Sequence, residues 1–134
     1  MSQFRFIETM RNFEKLKRDE PLILGNMAQR YFRKSFEEQG WDGVKWKPRA
    51  ADKTKKDIWR AILVKTGTLK RAVNSSLTLA TFDKIEFSVP VVYAKRHNYG
   101  EDGMPQRKFL GYSPILMKSL EEKLAHDMQS LHRK

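Results

Sequence analysis

The chain has 134 residues, no cysteine and a formal net charge of +11. Its length fits a single domain, and the lack of cysteine excludes a disulfide framework, a thiolate zinc site and a cysteine nucleophile within it. Apolar residues make up 40% of the chain and charged residues 32%, which predicts a modest core under a strongly charged surface. The excess of positive charge favours an anionic partner: nucleic acid, an acidic membrane face or an acidic protein.

The sequence carries no signal for membrane insertion or secretion. None of its apolar runs approaches the roughly 18 residues of a membrane span. The segment from Met1 to Arg18 mixes apolar residues with charges of both signs, whereas a secretory signal requires an uninterrupted apolar centre. We therefore expect a soluble protein made for the cytoplasm, without membrane contact.

Apolar periodicity predicts two helices in the N-terminal region. Over residues 4–17 the apolar side chains recur at intervals of three and four, as they do on one face of a helix. The pair Glu20-Pro21 is expected to interrupt this helix, and Pro21 to stand at the start of the next, where its missing N–H is not needed. Gly40 is a candidate C-cap. The inner face of the second helix is formed by Leu24, Ala28, Tyr31, Phe32, Ser35 and Phe36.

The middle of the chain is less regular. Periodicity is lost over residues 41–56, where basic residues dominate, and this predicts a basic loop. A short helix is expected over residues 57–64. The chain then turns tightly around Gly67, a candidate for a positive φ that a side chain would penalise. Thr68 is the expected cap of a brief helix that ends near Asn74.

Two strands follow. Residues 76–82 and 84–90 alternate with a period of two and are rich in β-branched and aromatic side chains, which predicts a hairpin with Asp83 at its turn. Residues 91–99 fit either a strand or a short helix. Residues 107–110 are expected to form a further short strand.

The C-terminal helix has a clear start. Ser113 offers a hydroxyl N-cap and Pro114 suits the first helical position. The apolar residues that continue at helical spacing are Leu116, Leu120, Leu124, Met128 and Leu131. The predicted fold is a single α+β domain over residues 1–134, in which a small antiparallel β-sheet packs against long N-terminal and C-terminal helices.

No arrangement of residues predicts catalysis. The histidines His97, His126 and His132 are not spaced to converge on a metal ion. The carboxylates fall on predicted helix exteriors or in turns, and the glycine and lysine spacing of a phosphate-binding loop is missing. We therefore expect no catalytic residues, no metal, no cofactor and no enzymatic activity.

The basic loop has three possible roles. Lysines and arginines interleaved with tryptophans are typical of nucleic-acid binding, through phosphate contacts and base stacking. The same loop could be solvated, with its tryptophans tucked against the domain. We favour a protein interface, because Trp and Arg are enriched at interface hot spots. The expected interface residues are Trp41, Trp46, Lys47, Arg49, Lys53, Lys55 and Lys56.

Several short motifs occur in order along most of the chain. They are Phe36-Glu37-Glu38-Gln39-Gly40-Trp41, Trp46-Lys47-Pro48, Ile62-Leu63-Val64-Lys65-Thr66-Gly67-Thr68-Leu69, Val89-Pro90-Val91-Val92-Tyr93-Ala94, His97-Asn98-Tyr99-Gly100 and Met104-Pro105-Gln106-Arg107-Lys108-Phe109-Leu110-Gly111. Taken in this order, they resemble the phage virion morphogenesis family, the tail-completion proteins similar to the Mu G protein. Lys108 stands where the family often has proline, and Asn98 where it often has an acidic residue or glutamine. The matching fold-motif residues are Thr66, Gly67, Leu69, Tyr93, Gly100, Arg107 and Phe109.

The resemblance implies a structural virion protein of a tailed bacteriophage that acts late in assembly. Such a protein completes the tail and joins it to the filled head, as a homo-oligomeric ring, a hexamer by family resemblance, at the neck of the particle. Its implied partners are itself and other neck and tail proteins, with packaged DNA as a further contact. We also expect Arg107, Phe109 and Tyr93 to lie near the sheet and to help set it against a helix or a neighbouring subunit, with Phe109 buried. A basic nucleic-acid-binding module is the alternative function.

Overall fold

The computed structural model describes residues 3–48, 62–63 and 67–132. The fold is α+β, as predicted: helices surround two small antiparallel hairpins. In chain order the elements are α1 (Gln3–Glu38), β1 (Gly40–Trp41), β2 (Val44–Lys45), α2 (Thr68–Asn74), β3 (Leu77–Ala80), β4 (Ile85–Phe87), α3 (Ala94–Tyr99), α4 (Pro114–Gln129) and a 3-10 turn (Ser130–His132).

The N-terminal region forms one helix and not two. Helix α1 runs for 36 residues with Pro21 inside it, so the predicted interruption at Glu20-Pro21 is wrong. A proline inside a helix removes one backbone hydrogen bond, but the apolar stripe keeps its helical spacing on both sides, from Phe13 through Leu24 to Ala28. Glu20 and Pro21 are both buried, so the stretch that lacks the bond is held by packing. The left-handed residue that follows α1 is Gln39, with φ of 54°, and not Gly40.

Strands β3 and β4 form the predicted hairpin and lie directly on α1. Leu77 pairs with Phe87, and Ala80 pairs with Ile85, with a register irregularity after Leu77. A Cβ added to Gly25 of α1 would lie 3.0 Å from Leu77 Cδ1 and 3.3 Å from Ile85 Cγ2. The glycine thus permits the close approach of hairpin and helix.

The core lies between α1, α2 and the segment before α4. The Phe36 ring packs against the rings of Trp46 and Phe109, each at 5.6 Å between centroids. Val73 of α2 is fully buried, and Phe109 is 1% exposed. The burial predicted for Phe109 is therefore confirmed.

The two predicted helix starts differ in outcome. Ser113 caps α4 as predicted, because its hydroxyl oxygen accepts a hydrogen bond from the Leu116 N–H at 3.1 Å and Pro114 follows it. In α2 the N-cap is Gly67, with φ of 78°, and no side chain caps the helix. The positive φ of Gly67 is confirmed, and the capping role of Thr68 is wrong. The ambiguous segment before Gly100 contains the short helix α3.

The strand predicted over residues 107–110 does not form. The segment has no regular secondary structure, since side-chain hydrogen bonds take the place of a strand partner, as described below. Most of the short helix predicted over 57–64 lies outside the described residues, as do Thr66 and the loop beyond Pro48. The described pair Ile62-Leu63 forms a turn, in which the Gln39 side chain donates a hydrogen bond to the Ile62 carbonyl at 3.2 Å.

Candidate functional site

The candidate site is the start of the basic loop, where the chain leaves the hairpin β1–β2. Lys47 and Pro48 are exposed there. Lys45 is exposed as well, but its ammonium donates to the Glu38 carbonyl at 2.7 Å and so supports the end of α1. Among the predicted interface residues, Arg49, Lys53, Lys55 and Lys56 lie outside the described residues.

The start of the loop is fixed by Arg107. Its Nε and Nη2 donate to the Lys47 carbonyl oxygen at 3.1 and 2.9 Å, and Nη2 also lies 3.3 Å from the Pro48 carbonyl oxygen. The Arg107 residue is 8% exposed. A buried guanidinium has to satisfy its donors, so these bonds hold the backbone of residues 47–48 in one place against the body of the protein. Arg107 thus contacts the start of the basic loop, a contact that was not predicted from the sequence.

Trp46 belongs to the core. It is 5% exposed, its ring packs on Phe36, and its indole N–H donates to the Lys108 carbonyl at 2.9 Å. A side chain so enclosed has no surface to offer a partner. We therefore correct the prediction that Trp46 is an interface residue.

The Trp41 ring also packs mainly against other residues of the domain. Its ring stacks on Phe32 at 6.0 Å and meets the edge of Tyr31 at 5.5 Å. The Lys108 ammonium lies 5.2 Å from the centre of the Trp41 ring, within cation–π distance. The ring is half-buried, so only part of it is available at the surface. Of the predicted interface side chains that are described, Lys47 is the exposed one.

Asn98 is a structural residue of the site that the sequence did not reveal. It is buried, and its amide NH2 donates to the Leu110 carbonyl at 2.9 Å. Its Oδ1 accepts from the N–H groups of Phe109 and Leu110 at 3.0 and 3.2 Å. The segment that lacks a strand partner therefore receives its hydrogen bonds from one side chain that both donates and accepts. The sequence did offer one indication. Residues 107–110 form a short segment that ends at Gly111, and its backbone N–H and C=O groups need hydrogen-bond partners from elsewhere in the fold.

The other fold-motif residues divide between core and surface. Leu69 is buried, and Gly100 ends α3 in the left-handed conformation with φ of 72°. Tyr93 is 40% exposed and meets His97 edge to face at 6.0 Å, and the expectation that it helps to set the sheet against a helix or a neighbouring subunit stays a prediction. Burial, together with the nearby Arg107 guanidinium, lowers the pKa of His97, which favours the neutral ring.

A polar cluster joins α1, the first hairpin and the start of α4. The Tyr31 hydroxyl donates to the Asp42 carboxylate, which also accepts from the Ser113 hydroxyl at 2.5 Å. Burial, then the hydrogen bond to Asp42, raise the pKa of Tyr31. The cluster contains no histidine, and its groups bond to one another, so its evident effect is to fix the hairpin on the helices.

Within the described part of the chain, no group of three His, Asp or Glu side chains could hold a metal ion. Among those same residues, no helix combines the length and apolar character needed to cross a membrane. The site offers fixed backbone, exposed cations and a partly exposed indole, which suits the binding of an anionic surface. No family model, no curated protein and no solved structure matches this chain.

Proposed function

We propose that this chain is a tail-completion protein of a tailed bacteriophage that joins the finished tail to the filled head. It forms a homo-oligomeric ring at the neck of the virion. The experiment below tests this role by measuring how well heads and tails are joined. The basic loop binds an acidic face on a neighbouring neck or tail protein. In this proposal the chain acts by binding and carries out no reaction.

One observation carries the proposal. Motifs that are far apart in the sequence, and that together prompted the family resemblance, meet at a single place in the fold. Asn98 bonds to the backbone of Phe109 and Leu110, Arg107 bonds to that of Lys47, and Trp46 donates to that of Lys108. This junction holds the start of the basic loop, so the segments that carry the resemblance support the segment that the proposal assigns to a partner.

Nucleic-acid binding is the second candidate. The net charge of +11 and the exposed lysine at the start of the loop favour it, because phosphate contacts dominate such affinity and require little preformed structure. The two candidates predict different effects of reversing the loop charge: loss of head–tail joining for the first, and loss of DNA affinity for the second.

The test reverses the charge of three loop lysines, Lys53, Lys55 and Lys56, to glutamate. The readout is complementation of a virion that lacks this protein, counting infectious tailed particles against separated heads and tails. Joining should fall strongly, because like charges now meet at the contact, while the circular dichroism spectrum and ring formation are kept. The matched control makes the same change in net charge elsewhere, at the exposed residues Lys15, Arg18 and Lys118, and should join normally.

The same variants separate the two candidates. Binding to a DNA duplex is measured over a range of salt concentrations. Normal joining by the loop variant, with lost DNA affinity and a shallower salt dependence, would move the chain to the nucleic-acid class. Equal loss of joining in the loop variant and in the control would show that net charge matters and the loop does not.

A further inference from the structure

Two grooves flank a row of arginines on α1. The first has a volume of about 390 Å³ and lies between α1 and α4. Its apolar lining includes the buried Leu116 and the half-buried Met27 and Tyr31, and its exposed sides include Arg30 and Lys34. The combination is an apolar recess beside cations.

The second groove lies on the other side of the same row. It has a volume of about 410 Å³ and is lined by polar side chains that include Gln29 and Asn74. Arg30 and Arg33 line both grooves. We name these two side chains the arginine ridge, since they separate one groove from the other.

We propose that the arginine ridge is the docking site for an acidic segment of another protein. Carboxylates of that segment bind the two guanidinium groups, and one apolar side chain of it enters the α1–α4 groove. The residues named as lining the two grooves all lie outside the basic loop in the sequence, and the proposal does not depend on the assignment to a phage neck.

The ridge has unused donors. Arg30 is exposed and makes no hydrogen bond or ion pair with the described residues. Arg33 is half-buried, and its Nη1 donates to the Asn74 side-chain oxygen at 3.3 Å, while its Nε is buried without a hydrogen-bond partner. Asn74 thus orients the Arg33 guanidinium, whose Nε is enclosed, and the exposed Arg30 offers the accessible donors of the ridge. The planar fork of arginine suits the two oxygens of a carboxylate.

The surroundings favour a carboxylate-bearing protein segment over a nucleic acid. Glu37 stands on the side of the first groove, so an occupant has to keep its own negative groups away from that carboxylate, which separated acidic side chains can do and a continuous phosphate backbone cannot. The apolar recess formed by Met27, Tyr31 and Leu116 is useful for a side-chain anchor, since a buried apolar side chain contributes to affinity in a way that a phosphate cannot. A peptide with alternating acidic and apolar side chains matches both features.

The test uses a fluorescein-labelled peptide with two glutamates on each side of one leucine, measured by fluorescence anisotropy with the full-length chain. Arg30→Glu should weaken binding at least about tenfold, equal to roughly 1.4 kcal/mol. Lys15→Glu is the matched control, at an exposed position of the same helix with the same change of charge, and it should change binding less than about twofold. Circular dichroism verifies that both variants remain folded.

A second variant tests the groove without altering charge. Ser119 lies on the wall of the α1–α4 groove and is exposed, so Ser119→Trp fills the recess. This variant should bind the leucine peptide more weakly than the wild type does. Its binding of a peptide with serine in place of leucine should be unchanged. The charge-reversed loop variant should still bind the leucine peptide, which separates this proposal from the proposed function.

Three results would overturn the proposal. One is no measurable binding of the leucine peptide. Another is an equal loss in the Arg30→Glu and Lys15→Glu variants, because the attraction would then come from net charge alone. The third is a larger effect of Arg30→Glu on the binding of a short DNA duplex than on the peptide, which would assign the ridge to nucleic acid.

Discussion

Arg107 donates two hydrogen bonds to the backbone carbonyl oxygen of Lys47, at 3.1 Å from Nε and 2.9 Å from Nη2. The two residues are 60 positions apart in the sequence. Through this contact a buried cation, in a segment without secondary structure, holds the start of the basic loop at residues 47–48. The position of those two residues therefore depends on the core and not only on the local sequence.

Replacing Arg107 with methionine should lower the free energy of unfolding by about 3 kcal/mol. The methionine fills much of the volume, but the carbonyls of Lys47 and Pro48 lose charge-assisted bonds that are worth about 1.5–3 kcal/mol each. Arg107→Lys should lower the free energy of unfolding by less, because the lysine ammonium can still donate to one of the two carbonyls. Urea denaturation followed by circular dichroism measures both.

The control for this prediction is Arg96→Met. Arg96 is exposed and its Nε lies 3.1 Å from the Asp102 carboxylate. Exposed ion pairs contribute about 0–1 kcal/mol, so the control should have a free energy of unfolding close to that of the wild type. Equal stability of the Arg107 and Arg96 variants would contradict an anchoring role for Arg107.

Phe109→Ala should destabilise the fold by roughly 3–5 kcal/mol, the usual effect of removing a buried aromatic ring and leaving a cavity. Phe109 is 1% exposed and packs against Phe36. Phe82 provides the matched control, since it is an exposed phenylalanine near the tip of the β3–β4 hairpin. Phe82→Ala should change the unfolding free energy by less than about 1 kcal/mol. Similar losses for both variants would contradict the core position of Phe109.

Gly67→Val should lower the free energy of unfolding by at least about 1 kcal/mol, because a β-branched residue is strained at a positive φ. Gly67 has φ of 78° at the start of α2. An added Cβ would also lie 2.8 Å from the end of the Arg71 side chain, which is flexible enough to move, so the backbone conformation dominates the effect.

Replacing Gly67 with asparagine separates the two possible causes of the destabilisation, which are the positive φ and the close contact of an added Cβ with Arg71. It tolerates the left-handed region better than other residues do, yet it brings a Cβ as valine does. Gly67→Asn should therefore retain most of the stability in thermal denaturation. If the two variants melt together, the strain is steric and the φ angle is not its cause.

Local signals in the sequence predicted the elements that are determined locally. The hydroxyl and proline at Ser113-Pro114 predicted the start of α4, and the alternation of residues on either side of Asp83 predicted the hairpin. At Pro21 the local signal failed, because tertiary packing keeps α1 helical in spite of the lost hydrogen bond. A local rule cannot weigh burial that is supplied by a distant helix.

The candidate site was harder to predict for the same reason. Tryptophans among lysines resemble an interface, but Trp46 is drawn into the core by Phe36 and by the Lys108 carbonyl. Asn98 gains its role only because residues 109–110 pass beside α3. Such partners are set by the path of the chain through space, which periodicity and spacing do not record.

The last prediction concerns a carboxyl group buried between α1 and α4. Glu20 is 5% exposed, and its Oε1 has no hydrogen-bond partner among the described residues. Burial, followed by a hydrogen bond to Asp127 and the charge of that group, raises the pKa of Glu20 to about 7 from an ordinary value of 4.5. Asp127 has a lowered pKa and is paired with Lys123 at 2.9 Å, so the proton of the pair resides on Glu20.

The sign follows from proton binding. Between pH 4.5 and about 7 the folded chain holds a proton on Glu20 that the unfolded chain has released. Stability from this group is therefore present below the lower value and falls as the pH rises towards the higher one, by at most about 1.4 kcal/mol per pH unit. Glu20→Gln keeps the shape and removes the ionisation. It should lie within about 1 kcal/mol of the wild type near pH 5 and exceed its stability by roughly 3 kcal/mol near pH 8.

The measured quantity is the difference between wild type and Glu20→Gln in urea denaturation at several pH values. The difference is needed because the half-buried His97, with its lowered pKa, makes stability rise with pH over part of the same range and so opposes Glu20. Glu122→Gln, at an exposed position of α4, should follow the wild-type curve throughout. Parallel curves for wild type and Glu20→Gln from about pH 5 to pH 8 would mean that Glu20 ionises in the folded chain as it does in the unfolded one, and that α4 packs on α1 without a shared proton.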